Sequence, residues 1–245
     1  MDYSNYKYIL VERVGKILRL TLNRPERLNA VTPEMHTELA NIFRDVRYDR
    51  EAAVITLTGA GRGFCAGADI KAPLPTEKEQ MDIVFREARE ILVNILEIDQ
   101  PIISAVNGPA TGLGATLALF PDIVIASDRA RIGDTHVKVG LAAGDGGAVI
   151  WPLLMGVNRA KELLMTGRIL TALEAKEIGL VNHVVPHDDL DGKVMEMAME
   201  LANGHQSAIR STKKAVNLYI KWMLNQVFDY SCVMEYQCAM EILKP

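Results

Sequence analysis

The chain has 245 residues, of which 49% are hydrophobic and 24% charged, with a formal net charge of −4. That length suits one large domain, or a domain with an appendage, and the lack of a basic block argues against nucleic acid or an anionic membrane as partner. Cys65, Cys232 and Cys238 fit no metal-ligand spacing and leave an odd number, which suits buried thiols in a reducing compartment and no metal site. Residues 1–8 are polar and carry no secretory signal. No apolar run reaches the ~18 residues that a spanning helix needs, so a cytoplasmic location is expected.

Residues 8–13 and 16–22 read as strands around Val14-Gly15, a hairpin. Residues 33–46 space Met35, Leu39, Ile42, Phe43 and Val46 as one helical face, with Thr32 as N-cap and Pro33 in the first position. A strand at 53–58 runs into a glycine loop, and 77–98 is a long amphipathic helix. A buried strand at 101–106, a short apolar helix at 112–120 and a strand at 122–126 follow. This alternation predicts an α/β arrangement with ligands near the loops that leave strands. From about residue 157 helices dominate: 159–165, 172–178, 190–202, 209–223 and 227–243, with one extended exception at 181–185. A boundary near residue 186 divides an α/β core, 1–186, from a helical region, 187–245.

Three loops carry the candidate chemistry. Residues 59–71 match the dinucleotide fingerprint at Gly61, Gly63 and Ala66, but Pro73 and Pro75 interrupt the helix that such a site requires. The alternative is a loop whose backbone N–H groups face a ligand oxygen, small residues permitting close approach. Residues 107–116 form a second glycine-rich turn that opens a helix, where free N–H groups can stabilise an oxyanion. The third loop places His136 and Asp145 nine residues apart, before an uncharged apolar stretch. A His that takes a proton and a carboxylate that orients it make a water-activating dyad; the plainer reading is a structural His beside a loop Asp. Asp134, two residues before His136, competes with Asp145 as the orienting group.

Residues 22–30, 59–71, 101–116, Asp122, 144–147, Thr166-Gly167 and 179–181 together make the chain resemble the enoyl-CoA hydratase/isomerase, or crotonase, superfamily over nearly its whole length. The resemblance implies a spiral of ββα units with a helical C-terminal trimerisation region, and a homotrimer or dimer of trimers. It implies an acyl-CoA thioester as substrate, coenzyme A being part of the substrate and no separate cofactor being needed. The enolate would be held by the N–H groups of Ala68 and Leu113. Leu28, Ala66, Asp69, Ile70, Lys71 and Thr116 fall at substrate- or CoA-binding positions.

Departures from the family pattern sharpen the expectation. The two glutamates of the family's hydratases are replaced by Thr116 and His136, and Asp145 stands where a small residue is usual. The His/Asp pair is similar to the branch that hydrolyses C–C bonds of β-diketones, typified by 6-oxocamphor hydrolase, although that branch has a second His where this chain has Leu113. Hydrolytic cleavage of a β-dicarbonyl or β-keto-acyl substrate is therefore the leading expectation, with neutral His136 as base and Asp145 orienting it. An atypical acyl-CoA hydratase or isomerase, and a non-catalytic acyl-CoA-binding homologue, are the alternatives. Asp69 reads equally as the cap of a turn, and Cys65 as an inert buried thiol. His36, His183, His187 and His205 read as structural or solvated. Lys213-Lys214 read as a solvated helical face or a contact for CoA phosphates.

Overall fold

A computed structural model describes residues 1–69, 71, 72 and 78–242. The candidate Ile70, and the expected helix ends at Glu77 and Leu243, lie outside them. The hairpin forms from β1 (Ile9–Val14) and β2 (Ile17–Leu22), paired antiparallel. Thr32 caps α1 (Pro33–Val46), its hydroxyl accepting from the Met35 N–H at 3.3 Å. The chain then lays β3 (Val54–Gly59) parallel to β2, crosses through α2 (Lys78–Glu97), and lays β4 (Ile102–Val106) parallel to β3. All five residues of β4 are buried, as its unbroken apolar run requires.

A short strand, β5 (Pro109–Thr111), leads into α3 (Leu113–Leu119), then β6 (Ile123–Ser127) and β7 (Arg131–Gly133). Helices α4 (Gly147–Met155) and α5 (Val157–Thr166) follow, with β8 (Leu170–Thr171), α6 (Ala172–Glu177) and β9 (His183–Val185). The strands make a six-stranded sheet, β1-β2-β3-β4-β6-β9, parallel beyond the hairpin, and a small sheet, β5-β7-β8. The sequence periodicity misses the small sheet because its strands are two or three residues long.

Packing does not follow the expected boundary near residue 186. Helix α7 (Leu190–Asn203) buries Leu190, Val194, Ala198 and Ala202 against Ile103, Ala105 and Ile125 of the large sheet, so it belongs to the core. The two helices expected over 209–223 and 227–243 are one, α8 (Gln206–Ile242). Leu224-Asn225-Gln226 contain neither Gly nor Pro, so nothing breaks the helix between them. Among the described residues no helix is long and apolar enough to cross a membrane.

Candidate active site

Parallel pairing of β3 and β4 aligns Thr58 with Ala105, so both glycine-rich turns leave the same edge of the sheet. Two buried asparagines shape the first turn. The Asn29 amide donates to the carbonyls of Ala60, Gly63 and Phe64, at 2.8–3.1 Å. The Asn107 amide donates to those of Gly59, Gly61 and Gly63, at 2.9–3.2 Å. The turns then dock on each other: Cys65 N–H donates to Pro109 O, and Thr111 N–H to Cys65 O, each at 3.0 Å. A Cβ on Gly114 would stand 2.0 Å from Cys65 O, so only glycine permits this approach. Replacing Asn107 with Ala strands these carbonyls; a loss of about 1–3 kcal/mol in urea unfolding is expected, with wild-type stability as the contrary result.

The docked turns present two backbone donors. Among the described residues the Ala68 N–H has no acceptor, while its neighbours Val31 and Asp69 do. Leu113 is the first residue of α3, where no intrahelical acceptor exists for its N–H. Both residues line an apolar cleft of about 190 Å³, shared with Val31, Phe85, Leu141 and Tyr236.

Beside this pair, behind Gly112, lies a buried charged array. A Cβ on Gly112 would stand 3.6 Å from His136 Nε2. His136 begins a short 3₁₀ turn (His136–Val139). Its Nδ1–H donates to Asp134 Oδ1 at 2.7 Å, and its backbone N–H reaches the same oxygen at 3.2 Å. Asp145 Oδ2 faces Nε2 at 3.2 Å, and Asp145 Oδ1 accepts from the Thr116 hydroxyl at 3.1 Å. Asp134 therefore grips the ring more tightly than Asp145, against the expected order. Burial favours the neutral ring, but the Asp145 charge and the bond to Asp134 outweigh it and hold His136 well above the ordinary 6.5. Burial likewise opposes the Asp145 charge, and His136 overcomes it, keeping the carboxyl below 3.8. This direction favours the charged ring, whereas the sequence leads one to expect a neutral resting base.

The three side chains bring possible ligand atoms within 4.8 Å of one another. The two carboxylates each pair with a different nitrogen of the ring. Hydrogen bonding and charge pairing account for the cluster.

The other expected residues separate. Asp69 lines the cleft but also pairs with Arg24 at 3.2 Å and accepts from the Lys71 N–H at 3.1 Å, so it does cap the turn. Ala66 anchors the loop, donating its N–H to Leu28 O and accepting from the Thr111 hydroxyl. Leu28 packs on Gly63 in a left-handed conformation, φ 51°, and Lys71 is exposed. Thr116 is fully buried; its hydroxyl serves Asp145 and has no path to a ligand. Burial pushes the Cys65 thiol up to about 12, which makes it inert. Lys213 is not a CoA contact: it is buried, with Nζ 2.7 Å from Asp122 and 2.8 Å from Gln100 O.

Two groups on the cleft escaped the sequence reading. His36 reads as a surface residue, yet it is 8% exposed and lines the cleft. Helix α1 packs on both the sheet and α2, which widens its buried stripe to include it. Glu235 comes from α8 and lies against Gly144, where a Cβ would stand 2.3 Å from its Oε2. Burial and the Asp145 charge push Glu235 up to about 8, so it is largely protonated at neutral pH. Neither has a local sequence signal; only the packing of α2 and α8 brings them in.

The described chain is thus an α/β fold with two unpartnered backbone N–H groups on residues that line one apolar cleft. The family model described as enoyl-CoA hydratase/isomerase matches residues 12–241, and the chain belongs to that family. It is 37% identical over 215 residues to 1,2-epoxyphenylacetyl-CoA isomerase of Escherichia coli K12, covering 86% of this chain and 82% of that protein. It is 35% identical to the short-chain-enoyl-CoA hydratase of Clostridium acetobutylicum, covering 89% and 82%. The crystal structure of an enoyl-CoA hydratase/isomerase from Mycobacterium paratuberculosis superposes with a TM-score of 0.92 at 36% identity, covering 96% of this chain and 95% of that one. The fold is the crotonase fold expected from the sequence.

Proposed function

We propose that this enzyme takes an acyl-CoA thioester and converts it through an enolate, by a proton shift rather than by adding water. What supports this reading is that Ala68 and Leu113, whose N–H groups have no acceptor among the described residues, both line one apolar cleft. Such donors stabilise an enolate oxygen because they are fixed in place and shielded from water. Water addition lacks its acid/base groups: Thr116 and His136 stand where the family's hydratases carry glutamates, one buried and the other held as a cation. Hydrolytic C–C cleavage of a β-dicarbonyl would use the same enolate, but it needs a bare His136 nitrogen turned to water. Asp145 faces that nitrogen instead, which ranks this reading second. Coenzyme A enters as part of the substrate, with Leu28 and Lys71 proposed near its nucleotide.

The test is incubation with a 3-enoyl-CoA, a trans-2-enoyl-CoA and a 3-ketoacyl-CoA, with products resolved by mass spectrometry. The expected result is conversion of the 3-enoyl to the 2-enoyl thioester, with hydration at least ~10²-fold below that of a proficient hydratase. Hydration on the order of 10³ s⁻¹, or cleavage of the keto thioester as the main reaction, would overturn it. Binding without turnover of any of the three would mark a non-catalytic homologue.

The same reading includes a homotrimer. Val157, Met165 and Leu173 around α5 and α6, and Leu218, Tyr219 and Trp222 on α8, are all exposed in the single chain, an apolar surface that self-association would bury. Sedimentation equilibrium should show three times 27.1 kDa, about 81 kDa, or twice that; a 27.1 kDa species alone at micromolar concentration contradicts it.

A further inference from the structure

We propose that His36 is the catalytic base of this cleft and that Glu87, from α2, positions it. The inference rests on the enolate reading above and names the group that makes the enolate. His36 Nδ1 lies 2.8 Å from Glu87 Oε2, and the Thr37 hydroxyl donates to Glu87 Oε1, also at 2.8 Å. Both carboxylate oxygens are thereby fixed, and the ring donates Nδ1–H to Glu87. Burial works to raise Glu87, but the bonds from His36 and Thr37 outweigh it and keep the carboxyl ionised. In the neutral ring Nε2 is then the bare acceptor. Nε2 has no hydrogen-bond partner among the described residues, and His36 lines the cleft.

The contrast with His136 decides the assignment. His136 has a carboxylate at each nitrogen and is held as a cation, whereas His36 has a carboxylate at Nδ1 only. His36 lies five residues after Val31, which bridges to Ala68, and its backbone N–H donates to Thr32 O, so the start of α1 is tied to the loop that carries Ala68. The ionisable groups sharing the cleft with it are Asp69, Glu235 and Tyr236.

In the step this implies, the thioester's Cα–H bond breaks and its proton goes to His36 Nε2. The electron pair forms the Cα=C bond of the enolate, and the carbonyl pair moves to the oxygen between Ala68 and Leu113. The resulting imidazolium, stabilised by Glu87, returns the same proton to Cγ of a 3-enoyl thioester. The 2-enoyl product forms, and the base is restored. No co-reactant is needed.

The experiment compares wild type, H36Q, H36A and E87Q on a 3-enoyl-CoA, with α-deuterium exchange of a saturated acyl-CoA in D₂O as second readout. H36Q and H36A should lose ~10²–10⁴-fold in kcat with KM little changed. Added imidazole should restore part of the H36A rate and none of the H36Q rate, which a merely structural role would not produce. E87Q should lose less than H36A. If H36Q folds poorly in a thermal melt, rescued H36A and the isosteric E87Q carry the decision. A wild type that isomerises while H36Q keeps its kcat, or H36A without rescue alongside full-rate E87Q, overturns this assignment alone. A wild type that neither isomerises nor exchanges overturns the enolate reading and this assignment with it.

Discussion

Leu113→Pro is expected to lower kcat/KM by about 10²–10³-fold with the fold intact. The substitution removes one backbone N–H and exchanges the Leu side chain that lines the cleft. Leu113 is the first residue of α3, a position where proline is tolerated because its N–H has no intrahelical partner. Gly112 before it sits at φ 55° and ψ −127°, outside the right-handed helical region that a following proline excludes. Leu113→Gly, which keeps the donor and removes the side chain, should lose far less. The comparison separates the N–H from the side chain of Leu113. Equal losses in the two variants would mean that side-chain packing matters and the donor does not.

The second large effect falls on stability. Asp134→Ala leaves the His136 cation buried with its shorter bond gone, and breaking a buried pair from one side typically costs about 3–5 kcal/mol. Asp134 is 1% exposed and also receives the His136 backbone N–H, so water does not replace it. Chemical denaturation should show the loss as a lower midpoint at unchanged slope. The pH dependence follows from the same array. His136 is raised in the folded state, so its contribution is complete below about 6.5 and fades as pH climbs through the raised value. Asp145 is lowered, so its contribution is complete above 3.8 and fades as pH falls through the lowered value. The contribution of the His136–Asp145 pair should therefore hold between those limits and decline on both sides, and His136→Gln should flatten both flanks of that contribution. A wild-type profile that rises through pH 6.5 to 8 would contradict the charge assigned to His136.

Those two effects come from different kinds of information. The glycine turns after β3 and β4 are legible because glycine spacing, a buried strand and a helix start are all local, while Ala68 and Leu113 are singled out on them only by the family resemblance. The Asp134–His136 pair is legible as a possibility, since they stand two positions apart, but the choice between Asp134 and Asp145 depends on how the chain turns after β7. His136 does not continue a strand; it opens a 3₁₀ turn that puts Nδ1 on Asp134. His36 and Glu235 are invisible for a stronger reason. Their partners, Glu87 and Gly144, lie 51 and 91 residues away in the sequence, and each meeting is set by a helix crossing. The length of α8 was misjudged because a weak apolar period across 224–226 looks like a break, while the backbone continues wherever no residue stops it.

The measurement that bears most directly on the central claim is α-proton exchange. A saturated acyl-CoA incubated with the enzyme in D₂O can gain deuterium at Cα only if an enolate forms and is reprotonated. The account predicts enzyme-dependent incorporation at Cα, sharply reduced in Leu113→Pro. Bound acyl-CoA with no deuterium gain above the enzyme-free rate, in an enzyme that still turns over another thioester, would contradict it.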